Sequence, residues 1–120
     1  MVRIGLLTLV FVLAVHPNVP EAQDSDPRAA FAQAYALYAA GQFAQAKELF
    51  EKNTDPKYPL ADYSLHYLAV ISLDEKNWDL SRHYLTQLKR RYPQSIWFHG
   101  AELQRAKIDL AEKKYAQAIA

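Results

Sequence analysis

Gly41-Gln42-Phe43-Ala44-Gln45-Ala46, Lys76-Asn77-Trp78-Asp79-Leu80-Ser81 and Lys113-Lys114-Tyr115-Ala116-Gln117-Ala118 are three versions of one pattern. Each holds a turn, then an aromatic ring, then a small residue one helical turn further on. The rings of Phe43, Trp78 and Tyr115 are about 35 and about 37 residues apart, a spacing at which repetition means stacked helical hairpins. Arrays of this kind offer surfaces to partners more often than pockets for chemistry. The pattern therefore predicts an all-α chain and places its function in the class of binding.

Working outward, Asp26-Pro27 opens the first helix: Asp accepts from free amides, and Pro lacks an N–H only where none would be paired. This helix is expected from Pro27 to about Ala40, with Gly41 accepting the left-handed backbone that ends it. A second runs from Phe43 to about Asn53, with Phe43, Ala46, Leu49 and Phe50 as its apolar stripe. Pro56 and Pro59 stop it. A third covers about Leu60 to Glu75. Asn77 caps a fourth, Trp78 to Arg91, on which Trp78, Tyr84, Leu85 and Leu88 share a face. Lys89-Arg90-Arg91 closes that helix, and cations there complement its dipole rather than marking an anion site. Ser95 caps a fifth helix, Ile96 to about Glu112. A sixth is expected to begin at Tyr115 and to have fewer than two turns, too few to stand without packing. No closing polar helix follows, so the last hairpin reads as incomplete and the array as continuing past Ala120.

The N-terminus reads as an address. Met1-Val2-Arg3 is a short basic start, and Ile4 to Val15 is an uncharged apolar run about a dozen residues long. That is too short to span a bilayer and the right size for a secretory leader. His16-Pro17-Asn18-Val19-Pro20 breaks it, and cleavage is expected after Ala22. The domain plan is a signal peptide over 1–22, a linker over 23–26 and a helical repeat domain over 27–120. With 14 basic and 13 acidic residues the chain is close to neutral, so nothing favours nucleic acid, and no stable membrane span remains once the leader is removed. Cysteine is absent, which excludes disulfides and a cysteine-linked lipid. The expected location is periplasmic or secreted.

The hairpin pattern resembles the tetratricopeptide repeat, a unit of about 34 residues. Leu68-Ala69 matches its first-helix pair of a leucine and a small residue, and Gly41 matches its turn, where Lys76 and Lys113 depart. Phe43/Ala46 and Tyr115/Ala118 match the opening of the second helix, and Trp78/Ser81 comes close. Phe50 and Leu85 match the bulky position that follows, and Pro93 the closing proline. The resemblance implies a right-handed α–α superhelix with a small residue at each crossing. A bulky residue in place of Ala46 should overpack that crossing, at a cost of about 1–3 kcal/mol. A narrower likeness lies in Pro59-Leu60-Ala61-Asp62-Tyr63-Ser64-Leu65-His66-Tyr67-Leu68-Ala69 followed by Tyr92-Pro93-Gln94-Ser95. These segments resemble the second helical pair in the N-terminal arm of periplasmic soluble lytic murein transglycosylases. That likeness implies a non-catalytic arm, with any catalytic domain downstream and peptidoglycan, a protein or peptide, or the rest of the same chain as partner. A free-standing adaptor for envelope assembly or division is the alternative.

Chemistry is scarce. His16, His66, His83 and His99 include no pair at the helical spacing of a metal site, so no metal and no cofactor is expected. No nucleophile motif is present, so no catalytic residue is expected and the segment reads as no enzyme. Glu48 and Glu51 are flanked by Lys47 and Lys52 and read as solvated surface. The resemblance implies an inner, concave face carrying Phe31, Tyr35 and Tyr38, then Tyr63, His66 and Val70, then Leu103 and Lys107. Tyr35, Tyr38, Tyr63, His66 and Lys107 are the candidate partner-binding residues, because tyrosine joins an apolar ring to one polar tip. The competing reading is that the tyrosines only pack hairpin against hairpin.

Overall fold

Asp26 and Pro27 start the first helix as their chemistry dictates: the Asp26 carboxylate accepts from the Arg28 backbone N–H at 3.0 Å, and Pro27 is the first helical residue. The computed structural model describes residues 26–119; the expected leader over 1–22 and most of the linker lie outside them. Among the described residues there are five helices and no strand: α1 (Pro27–Ala39), α2 (Phe43–Glu51), α3 (Ala61–Asp74), α4 (Trp78–Arg91) and α5 (Phe98–Ile119). No described helix is long and apolar enough to cross a membrane. α2 packs on α1 and on α3, α4 on α3, and α5 on α4 with a lighter contact to α3.

The first two copies of the sequence pattern build the same corner. Gly41 has φ +80°, and Lys76, in the matching place, has φ 62°. At the first corner Gly41 N–H donates to the Tyr38 carbonyl (3.0 Å) and Gln42 N–H to the Leu37 carbonyl (2.9 Å). At the second, Lys76 N–H donates to Leu73 (2.9 Å) and Asn77 N–H to Ser72 (2.8 Å). This paired bonding satisfies the last carbonyls of a helix through one left-handed residue. A lysine there carries a Cβ penalty that glycine avoids. Lys76→Gly is therefore expected to stabilise the protein by about 0.5–1 kcal/mol, seen as a rise in thermal midpoint by circular dichroism. An unchanged or lowered midpoint would contradict the assignment.

The crossings match as well. Ala34 and Ala46 in the first hairpin, and Ala69 and Ser81 in the second, are all buried. Ser81 stands where Ala46 stands, and its hydroxyl donates to the Ala69 carbonyl at 2.7 Å. A buried hydroxyl needs such a partner, so serine fits the crossing at the cost of one fixed rotamer. Phe50 and Leu85 fill equivalent core positions, and both are fully buried beside Leu65, Leu68, Ile71 and Leu88. Ala46→Val, the smallest overpacking change, is expected to cost about 1 kcal/mol in urea unfolding.

The third copy does not form a corner, contrary to the sequence expectation. α5 runs through Lys113, Lys114 and Tyr115 as one helix, so Tyr115 is not the counterpart of Phe43 and Trp78, which open α2 and α4. Lys76 turns because Asn77 follows, its side chain accepting from Leu80 N–H at 3.3 Å, and because α4 then buries a full stripe. Lys113 is followed by a second lysine, with no side chain to cap a new helix. Ala, Glu and Lys at 111–114 favour helix. Tyr115 instead lies along α5, 46% exposed, with its ring edge-on to Trp78 at 5.4 Å. Ala118 is in the same helix, and its side chain lies outside the described residues. α5 begins two residues later than expected, because Ser95 accepts from Trp97 N–H (3.0 Å) in a turn that precedes the helix. Tyr92 caps α4, and Pro93 follows it where the helix cannot continue.

Polar ties lock the stack. Lys47 pairs with Glu75 at 3.1 Å, Lys89 with Glu102 at 2.6 Å, and Arg82 with Asp109 at 2.8 Å and Glu112 at 2.5 Å. Arg82 and Lys89 thus clip α4 to α5, whose buried contacts are Ala101 and Ile108. Such exposed pairs add little each, and α5 is held chiefly by burial. Glu51, read as plain surface, accepts from the Tyr84 hydroxyl at 2.9 Å, and burial followed by that bond pushes the phenol up to about 12.

Candidate functional site

α1 and α3 each place rings at helical spacing on one side, and the two sets meet. Tyr67 is the centre. Its ring stacks on Phe50 at 5.4 Å and 12°, and meets Tyr38 at 5.0 Å, Tyr35 at 5.5 Å and Phe31 at 6.1 Å. His66 touches it edge-on at 5.0 Å. Trp97, in the turn before α5, closes the far side: it lies face to face with His66 at 3.6 Å and 9°, and edge-on to Tyr63 at 5.6 Å. One aromatic network therefore spans the first helices of both hairpins and the entry to α5. Tilted and edge-on ring pairs each add about 0.5–1.5 kcal/mol beyond burial.

The electrostatics follow from this packing. His66 is only 8% exposed. Desolvation, with a smaller push from the Lys107 charge, lowers its pKa to about 4, so the ring is neutral at pH 7. Burial raises the Tyr67 phenol, and the neighbouring Tyr35, Tyr38 and Tyr63 raise it further. Tyr92 commits its hydroxyl inward, to the Thr54 carbonyl at 2.9 Å, as Tyr84 does to Glu51. No such bond engages Tyr35, Tyr38 or Tyr63 among the described residues. Tyr35 is 44% exposed, while Tyr38 and Tyr63 are half-buried. The face thus offers ring edges and phenol tips at its rim over a rigid aromatic floor.

The structure brings together four of the five candidates: Tyr35, Tyr38, Tyr63 and His66 join one network through Tyr67 and Trp97. Lys107, on α5, is exposed; its charge reaches His66, but its side chain lines a different groove, with Trp78 and Lys114. Leu103 is 59% exposed. Sequence reasoning missed Tyr67 and Trp97. Tyr67 could have been found, because Tyr63, His66, Tyr67 and Val70 fall at the period of one helix face. Trp97 gave no such signal: it falls within the expected fifth helix, while the structure places it in the turn before α5. Among the described residues no three His, Asp or Glu side chains cluster as metal ligands would.

The chain matches no family model, no curated protein and no solved structure.

Proposed function

We propose that this chain is a non-catalytic interaction module of the bacterial cell envelope, periplasmic or secreted. In this reading it is the start of a right-handed tetratricopeptide-like superhelix and the N-terminal helical arm of a lytic-transglycosylase-like protein. The observation that carries the reading is the aromatic face itself: a continuous ring floor across two equivalent hairpins and α5, rimmed by Tyr35 and Tyr63. Rings of this kind, with a polar tip at the edge, suit the faces of sugars and the side chains of peptides. Two further points support it: the repeated left-handed corner at Gly41 and Lys76, and the likeness of Pro59 to Ala69 to that enzyme family's arm.

Co-sedimentation with purified peptidoglycan sacculi tests it. The wild-type protein is expected to sediment with sacculi and to release no soluble muropeptide. Tyr35→Ala, at an exposed position, and Tyr63→Phe, which removes only a hydroxyl, are together expected to weaken sedimentation several-fold with helicity unchanged. Muropeptide release by this segment, or sedimentation indifferent to both substitutions, would sink the proposal.

A further inference from the structure

At the second corner the chain carries a lysine where its first corner carries glycine. Lys76 adopts φ 62°, and Gly41 shows that the same corner closes without a side chain. A residue held in a costly backbone region invites a search for what its side chain does. The Lys76 side chain borders a groove of about 550 Å³ between the α3–α4 corner and α5. Its other walls are Leu73, Asp74, Trp78, Lys107, Ala111, Lys114 and Tyr115.

Two features of this groove agree. First, its charge is positive: its lining carries three lysines and one acidic residue, Asp74. Lys47, Arg82 and Lys89 are all in ion pairs, whereas none engages Lys76, Lys107 or Lys114 among the described residues. Second, Trp78 and Tyr115 meet edge-on at 5.4 Å and give the groove an aromatic wall beside Ala111 and Leu73. The groove is open along its length. Small-molecule sites enclose about 70–90% of their ligand, so an open trough suits a chain better than a metabolite.

We propose that this groove binds an acidic, extended peptide segment, with Lys76, Lys107 and Lys114 meeting its carboxylates and the Trp78–Tyr115 wall packing against its side chains. The proposal rests on reading the chain as a protein-binding module. It assigns the aromatic face and this groove to separate contacts. It also gives Lys76 a role that opposes its effect on stability.

Binding of a hexaglutamate peptide, followed by calorimetry at low ionic strength, tests the proposal. Wild-type protein should bind, and added salt should weaken the complex. Lys107→Gln with Lys114→Gln, both on the exposed side of α5, should lower affinity by at least about tenfold with unchanged circular dichroism. Lys76→Gly should lower affinity while raising the thermal midpoint, two readouts that a purely structural lysine would not separate. The proposal is overturned if hexaglutamate fails to bind, or if it binds the lysine variants as well as it binds wild type. It is equally overturned if an oligogalacturonate binds and the peptide does not. Wild-type sedimentation with sacculi reports on the module reading alone. The lysine variants report on the groove, so failure of one is distinguishable from failure of the other.

Discussion

Phe50→Ala is expected to destabilise the protein by about 3–5 kcal/mol, a large share of the stability of a domain this size. Phe50 is fully buried, stacks on Tyr67 at 5.4 Å and meets Phe31 at 5.6 Å. Its removal leaves a cavity between α1, α2 and α3, and small neighbours such as Ala46 cannot collapse into it. The Tyr67 ring also loses its stacking surface, so the damage reaches the aromatic face. Urea unfolding followed by far-UV circular dichroism measures the loss. A change below about 1 kcal/mol would mean that Phe50 does not hold the two hairpins together.

The second large effect is pH dependence set by His66. Its folded pKa is about 4, below histidine's ordinary 6.5, so protons bind the unfolded chain more tightly. Stability from this group is therefore full above pH 6.5 and falls as the pH drops toward 4, where the decline from this group levels off. The shift corresponds to roughly 3 kcal/mol at most, and to less once the solvent that reaches the ring edge is counted. His66→Phe keeps the stack on Trp97 and removes the titration, so its stability should be flat across that window. Glu102 does not mimic the effect. Its carboxyl is lowered by the hydrogen bond from Lys89, so any contribution fades only below its ordinary value of 4.5. Urea midpoints from pH 7 to pH 4 for both proteins decide the matter; parallel curves would refute the assignment to His66.

Much of the fold was legible in the residues because local chemistry and packing agreed. Asp26-Pro27, Gly41 and Asn77 each did locally what their side chains favour, and the small residues Ala46 and Ser81 fell at equivalent crossings. The third pattern looked the same in letters and behaved otherwise. Lys113-Lys114 lacks a cap, and Ala, Glu and Lys at 111–114 favour helix, so helix propensity prevails and α5 runs on. A pattern of residue types does not encode the burial that would justify a turn.

The candidate site was half legible. Tyr35, Tyr38, Tyr63 and His66 were expected on one face and do share one network. That they meet through Tyr67 and are closed by Trp97 depends on how α1, α3 and the pre-α5 turn approach, which no local period records. Lys107 was expected among them and instead lines the corner groove, because α5 packs mainly on α4. The strained lysine at the second corner was visible only as a departure from glycine; its meaning came from the groove beside it.

The contact between His66 and Trp97 is where the account is most exposed, since it joins the second hairpin to α5 and completes the aromatic floor. Proton NMR of the intact protein at pH 7 reads it directly. Rings stacked at 3.6 Å predict upfield-shifted His66 ring protons and cross-relaxation between them and the Trp97 indole. His66 resonances at ordinary positions, with no cross-peak to Trp97, would mean that the floor does not exist as described.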